Sequence, residues 1–104
     1  MGGRGSSSGS KSDGQKTKLK NPKQRKTFEK IFRHPMPNDM RWNDIESFFE
    51  YIGYTKHDRG GSRVSFTKDG APTYYEHIPH PSSQTPPATV KRVKNYLKGI
   101  GMKP

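Results

Sequence analysis

Histidines supply the side chains of this sequence that are suited to proton transfer. His57, His77 and His80 lie in or beside segments that have the pattern of β-strands. Because imidazole gains and loses a proton near neutral pH, each of the three is a candidate general acid or base. Each could equally be a polar residue at a strand end or turn. Proximity to other site residues would separate the two interpretations.

Cations suited to phosphate binding fall at two places. Arg63 directly follows Gly61 and Ser62 and begins a predicted strand, whose period of two places it on the face opposite Val64. The second place is the last predicted helix, which has four cations and no acid on its exposed face: Lys91, Arg92, Lys94 and Lys98. Since no acid of this helix can pair with them, phosphate binding explains the pattern better than salt bridges do.

A metal site is not expected. His77 and His80 are three residues apart, and such positions face opposite ways on an extended strand. Glu76 is the one further candidate ligand beside them, so we predict no zinc and no other cofactor. The chain has no cysteine, which excludes disulfides, thiol nucleophiles and thiolate metal sites.

The net charge of +11 predicts attraction to a polyanion. Each Lys or Arg brought to a nucleic-acid backbone releases condensed counterions, so a basic protein binds such a backbone readily. Charge alone does not separate RNA, DNA and an anionic membrane. No apolar run is long enough to span a bilayer, and the N-terminus lacks the hydrophobic segment of a secretory signal, so we expect a cytoplasmic protein without membrane attachment.

Composition divides the chain in two. Residues 1–26 are rich in Gly, Ser and Lys and hold little apolar surface, which predicts a disordered basic tail. From residue 27 to residue 104, apolar residues recur with regular spacing and predict one folded domain. Phe28 and Ile31 predict a short helix behind a Thr27 cap, and a second apolar stripe begins at Trp42 and ends before Gly53.

Three strands and a closing helix follow. The strands are predicted at 54–59, 63–68 and 72–78, with turns at Gly60-Gly61 and Asp69-Gly70. The facing of the third strand stays open, because neither alternation of its residues separates apolar from polar side chains. Whichever of Tyr74 and Tyr75 faces outward could stack a base.

The order helix, three strands, helix predicts an α+β fold. The α-β-β-β-α order is that of the double-stranded-RNA-binding fold, a three-stranded antiparallel sheet with its helices on one face.

Residues from about Phe32 to Met102 resemble the HicA (YcfA-like) toxin family. The resemblance rests on Gly60-Gly61-Ser62 before the second strand, Ile78-Pro79-His80-Pro81 after the third, and the ending Leu97-Lys98-Gly99-Ile100-Gly101-Met102. It implies a double-stranded-RNA-binding-like fold, cleavage of mRNA and inhibition by an acidic HicB-type antitoxin. Residues 1–26 have no counterpart in the family pattern.

One residue departs from that pattern. Family members usually carry a catalytic His after the Gly-Ser of the second strand, and this chain has Arg63 there. Metal-free RNA cleavage needs a base for the ribose 2′-hydroxyl and an acid for the leaving oxygen. Arginine stays protonated and cannot be that base, but its guanidinium can stabilise charge on the attacked phosphate.

Three functions are therefore compatible with the sequence. The first is a HicA-like, metal-independent endoribonuclease (mRNA interferase), in which His80, His77 or His57 moves the proton. In that interpretation RNA is bound by two further sets of residues, the bend residues Gly61, Ser62 and Arg63 and the helix cations Lys91, Arg92, Lys94 and Lys98. The second is a noncatalytic RNA-binding module of the same fold. The third is a basic protein that docks an acidic antitoxin.

Overall fold

The predicted order of elements is confirmed by a computed structural model, which describes residues 17–78 and 84–104. Three helices and three strands follow one another along the chain: α1 (Pro22–Phe32), α2 (Trp42–Tyr51), β1 (Thr55–Asp58), β2 (Arg63–Thr67), β3 (Tyr74–His77) and α3 (Pro87–Gly99). The fold class is α+β, and the part from α2 onward has the α-β-β-β-α order of the double-stranded-RNA-binding fold. No helix in the described part of the chain is both long and apolar enough to cross a bilayer.

The sheet is an antiparallel meander with the strand order β1-β2-β3. Phe66 of β2 lies opposite Tyr74 of β3, and Arg63 lies opposite His77. Paired residues of antiparallel strands share a face, so this register settles the facing of β3 that the sequence left open. Tyr74 is buried on the inner face, whereas Tyr75 is 61% exposed on the outer face.

The helices cover the inner face of the sheet. The ring of Phe49 in α2 stacks on Phe66 at 4.5 Å and on Tyr74 at 5.5 Å between centroids. Tyr96 of α3 approaches the Tyr74 ring at 5.0 Å. The predicted apolar stripes of α2 and α3 are confirmed, since these residues are buried: Trp42, Ile45, Phe48, Phe49, Val90, Val93 and Leu97.

Gly53 ends α2 as the sequence predicted. Its φ of 101° is a left-handed conformation that glycine adopts without strain. The Gly53 N–H donates to the Glu50 carbonyl at 3.0 Å and the Tyr54 N–H donates to the Phe49 carbonyl at 2.9 Å. This is the hydrogen-bond pattern of a Schellman cap, and it turns the chain directly into β1.

The predicted start of α1 is wrong. The helix begins at Pro22, inside the range assigned to the tail, and the Asn21 side chain caps it by accepting from the N–H groups of Lys23 and Gln24. Thr27 is buried in the middle of the helix. Proline is favoured in the first turn of a helix and asparagine is favoured as its cap, so the local signal was present. Residues 1–16 lie outside the described chain, so for them the disordered tail stays a prediction.

Two distant segments meet beside α1. The Thr17 N–H donates to the Lys103 carbonyl, and the Lys103 N–H donates to the Thr17 hydroxyl, each at 2.8 Å.

Within α1, the Phe28 ring stacks on Phe48 of α2 at 5.7 Å. The helix therefore lies on the helical layer, against α2 and α3.

A buried carboxylate joins the sheet to α3. Glu76 Oε1 accepts from the Tyr74 hydroxyl at 2.5 Å and from Arg92 Nε at 3.1 Å. Its Oε2 accepts from Arg92 Nη2 at 2.8 Å and from the His77 N–H at 3.1 Å. Burial raises the pKa of Glu76, but the Arg92, Tyr74 and His77 donors together outweigh burial and hold this pKa below its ordinary value of 4.5.

Replacing this carboxylate should change both stability and its pH dependence. Because its folded pKa is lowered, Glu76 contributes stability above about pH 4.5 and loses it as the pH falls through the folded pKa. We expect Glu76→Gln to lower the free energy of unfolding at pH 7 by about 1–3 kcal/mol, toward the lower end because Arg92 is half-exposed. The difference in the free energy of unfolding between the variant and the parent should shrink below pH 4.5. Urea unfolding at several pH values measures this difference. An undiminished difference at low pH would contradict this.

The cap of α1 gives a second test of the fold. Asn21→Ala removes the acceptor for two backbone N–H groups and should lower the free energy of unfolding by about 1 kcal/mol. Asn95→Ala is the matched control, because Asn95 is an exposed residue inside α3. Alanine is the better helix former, so that variant should be neutral or a few tenths of a kcal/mol more stable. Equal losses in the two variants would show that Asn21 is not the cap.

Candidate nucleic-acid interface

The outer face of the sheet, on the side away from the helices, carries three of the predicted site residues: His57, Arg63 and His77. His57, Ser65 and Tyr75 lie side by side across β1, β2 and β3, and Arg63 is paired with His77 one step along. We call this the sheet face. Ser65 lies on this outer face, yet it is only 1% exposed, because its larger neighbours flank it on both strands.

The double-glycine bend fixes the Arg63 side chain. The predicted turn at Gly60-Gly61 is confirmed, and both glycines have positive φ. The Arg59 N–H donates to the Arg63 carbonyl at 2.9 Å and closes the hairpin. Arg63 Nη2 then donates back to the Arg59 carbonyl at 3.1 Å. One guanidinium nitrogen is thereby anchored, and the other N–H groups of the guanidinium have no hydrogen-bond partner among residues 17–78 and 84–104.

A hollow of about 470 Å³ brings several charged groups of the sheet face together with α3. Arg63 and His77 both line it, and their register makes them direct cross-strand neighbours. Such neighbours have Cβ atoms about 4.5–5.5 Å apart, so one small ligand can contact both. The charged groups around the hollow are Arg59, Arg63, Glu76 and Arg92. Three guanidinium groups against one carboxylate leave the hollow with an excess of positive charge, which is the chemistry suited to an anion.

The sequence correctly indicated that α3 has no acid, but the expectation that Arg92 forms no salt bridge is wrong. No acid lies on its own helix, but Glu76 of β3 accepts two hydrogen bonds from it. Arg92 Nη2 also donates to Thr89 Oγ1 at 3.1 Å. Its side chain is nevertheless 55% exposed and lines the hollow. Arg92 is therefore an oriented cation at the edge of the site, and part of its charge is already neutralised.

A second hollow of about 460 Å³ continues along the sheet face. His57 lines it together with Ser65, and His57 Nε2 is hydrogen-bonded to Thr67 Oγ1 at 2.8 Å. Arg59 and Tyr75 line both hollows, and the Arg59 guanidinium lies 5.4 Å from the centre of the Tyr75 ring. Asp58 also lines the second hollow, so the three arginines of the two hollows stand against two carboxylates. The two hollows thus form one surface with a small excess of positive charge and with the exposed Tyr75 ring between them.

The other predicted site residues are spread more widely. Gly61 and Ser62 are exposed in the bend beside Arg63. Lys91 and Lys98 are exposed on α3 and Lys94 is half-buried, but none of the three lines either hollow of the sheet face. His80 lies outside the described residues. Of the three candidate histidines, His77 is the one that the described structure places beside Arg63.

Sequence reasoning missed Arg59. It lies between the end of β1 and the double-glycine bend, and a hairpin closed by that bend places it beside Arg63. That placement could have been inferred from the turn. The contact of Arg59 with Tyr75 could not be inferred, because the sequence did not determine on which face of the sheet Tyr75 lies.

This arrangement suits an RNA strand. Anchored guanidinium groups bind phosphate oxygens, and an exposed tyrosine can stack a base. A histidine beside the phosphate site can move a proton. Among residues 17–78 and 84–104, no three potential metal-ligating side chains come together.

A family model identifies the chain. The model, described as the HicA toxin of bacterial toxin-antitoxin systems, matches residues 42–102, which is more than half of the 104 residues. The match begins at the first residue of α2 and includes all three strands and α3, whereas α1 lies outside it. No curated protein and no solved structure matches. On the strength of the family match, the chain belongs to the HicA toxin family of bacterial toxin–antitoxin systems.

Proposed function

We propose that this HicA-family protein binds mRNA on the sheet face and cleaves it as a metal-independent endoribonuclease in the cytoplasm. The observation that carries the proposal is the pairing of Arg63 with His77 in one basic hollow. A fixed cation and a proton-transfer group side by side are what phosphodiester cleavage without a metal requires.

Binding would use the cations and the exposed ring. Arg63 contacts the phosphate to be cut, because its guanidinium is anchored in the hollow that His77 also lines. Arg92 contacts a neighbouring phosphate from the α3 side, and Glu76 holds its guanidinium in place. A base flanking these phosphates stacks on Tyr75, where the Arg59 guanidinium now lies.

Cleavage would proceed by transfer within the RNA strand. Neutral His77 takes the proton of the ribose 2′-hydroxyl, and the 2′-oxygen attacks the adjacent phosphorus. The bond from phosphorus to the 5′-oxygen then breaks, and that oxygen takes a proton from an imidazolium or from water. The products are a 2′,3′-cyclic phosphate and a 5′-hydroxyl. Arg63 stabilises the extra negative charge on the phosphate oxygens during the step.

The antitoxin would act on the same surface. HicA toxins of toxin–antitoxin systems pair with an antitoxin. We propose a HicB-like acidic partner that places carboxylates over Arg59 and Arg63 and thereby blocks access of RNA to the sheet face. Charge complementarity of this kind favours rapid association.

Noncatalytic RNA binding is the second candidate function, and one observation favours it. Arg63 stands where family members usually have the catalytic His, as the resemblance implies. A chain that has lost its base there could keep the RNA-binding surface and no longer cut. Both functions use the same cations, so binding alone does not distinguish them.

Cleavage in the presence of a chelator tests the first function. Purified protein should cut RNA in EDTA, and His77→Ala should lower the rate constant by about 10²–10⁴-fold, as expected for loss of a general base. His34→Ala is the control, because His34 lies in the connection between α1 and α2 and should leave the rate unchanged. His57→Ala and His80→Ala examine the other candidates. If His77→Ala cuts as fast as His34→Ala, His77 is not the base.

Arg63→His separates the two candidate functions. If the parent cuts RNA through Arg63 and His77, this variant should gain no more than a few-fold in rate. A parent that binds RNA but is inactive, together with an active Arg63→His variant, would instead establish the noncatalytic module. Cleavage is measured by gel analysis of an end-labelled transcript, with unfolding curves of each variant to confirm that it folds.

Tyr75 should contribute to binding through its ring. Tyr75→Leu is expected to weaken RNA binding by about tenfold, the lower end for loss of one stacked base. Tyr75→Phe keeps the ring and should bind within about twofold of the parent. Fluorescence anisotropy with a short labelled RNA measures both. Equal affinities of the Leu and Phe variants would show that no base stacks here.

A further inference from the structure

A second basic surface lies at the start of α1, outside the part of the chain that the family model matches. We call it the α1 surface and define it by four exposed lysines and one tyrosine: Lys18, Lys20, Lys23, Lys26 and Tyr51. Residues 17–28 contain five cations and no acid. Within the described chain, the ion pairs of α1 involve Lys30 and Arg33, which both lie near Asp39.

The placement of these lysines is unfavourable for the helix itself. The N-terminus of a helix carries partial positive charge, which favours acidic residues in the first turn. The first turn of α1 has no acid, and Lys23 lies in it. Glu29 is the one acid beside the hollow that Lys23 and Lys26 line. A cluster that opposes the helix dipole, with so little local compensation, indicates a polyanionic partner.

An exposed aromatic ring lies beside this cluster. Tyr51 is 40% exposed, and its hydroxyl accepts from the N–H of Asn21, the cap of α1, at 3.3 Å. Among the described residues, Tyr51 and Tyr75 are the large hydrophobic side chains that remain exposed. Each of these two tyrosines therefore lies beside cations: Tyr51 beside the lysines of the α1 surface and Tyr75 beside Arg59. Cations with an exposed aromatic ring are the combination that single-stranded RNA binds.

The chemistry of the α1 surface favours RNA over an acidic protein. Protein interfaces have an apolar centre with few charges, and lysine is depleted in them. Here four lysines surround a single tyrosine. The α1 surface also belongs to the helical layer, since α1 packs against α2 and α3 and these helices cover the opposite side of the sheet from Arg63.

We propose that the α1 surface is a second binding site for single-stranded RNA, in which the lysines contact phosphates and Tyr51 stacks a base. The inference rests on the proposed function, because the RNA held here is the RNA presented to the sheet face. Its role is to retain the strand between encounters with the sheet face. It adds affinity without touching the phosphate that is cut.

Salt dependence of RNA binding tests the lysines. The probe is a fluorescent RNA of about 12 nucleotides whose 2′-oxygens are methylated, so that no cleavage can occur. Lys23→Gln with Lys26→Gln removes two phosphate contacts and should reduce the slope of log K against log salt by about 1.4. Raising the salt from about 50 to about 200 mM should then weaken RNA binding by the variant by a factor that is about sevenfold smaller than the factor for the parent.

A double variant of equal charge is the control. Lys56 pairs with Glu46 and Lys68 Nζ donates to the Ile52 carbonyl, so both lysines are occupied within the protein. Lys56→Gln with Lys68→Gln should keep the slope of the parent. Tyr51→Leu should weaken binding by about tenfold, whereas Tyr51→Phe should restore it. Circular dichroism confirms that each variant folds.

Three results would overturn the inference. The slope could stay at the parental value in the Lys23 and Lys26 variant, or it could fall equally in the control. The α1 variant could also lose binding to polyglutamate but keep its affinity for RNA, which would make the partner an acidic protein. None of these affects the sheet face. The proposed function fails separately, if the parent protein leaves RNA uncut in EDTA while it still binds the methylated probe with the predicted change of slope in the Lys23 and Lys26 variant.

Discussion

The register of β2 against β3 is the constraint on which the site depends. Phe66 and Tyr74 lie opposite each other and pack on Phe49, so the same register that fills the core places Arg63 beside His77 on the outer face. A shift by one residue would turn Arg63 toward the helices and expose Val64 to solvent. Packing on one side of the sheet therefore sets the geometry of the chemistry on the other.

Glu76 explains why part of this geometry could not be predicted. Glu76 is two residues after the buried Tyr74 and therefore lies on the same face of β3. A charged residue at a buried position made both orientations of the strand equally plausible from the sequence. The carboxylate is tolerated inside because Arg92, sixteen residues further along, supplies two donors. A local sequence pattern gives no information about a partner on another element. Neither the facing of β3 nor the ion pair of Arg92 could therefore be predicted, because both depend on the contact between Glu76 and Arg92.

Local signals predicted most of the fold. The apolar stripe of α2, the Gly53 cap and the double-glycine bend each depend on residues within one or two turns of chain, and the structure confirms them. The signal for the start of α1 was also local, because Asn21 followed by Pro22 is typical of a helix start, but the sequence analysis placed these residues in the tail. Of the site, the sequence indicated Arg63 and an outward tyrosine. Arg59 and the choice of His77 required the strand pairing.

The hydrogen bonds between Thr17 and Lys103 have a topological consequence. They hold two positions that are 86 residues apart within reach of a short peptide link. A chain joined across that gap and opened at the exposed tip formed by Asp69 and Gly70 would keep every helix and strand intact. The arrangement of residues on the sheet face thus does not depend on where in the fold the chain begins and ends. A circularly permuted version of the protein is compatible with the same geometry.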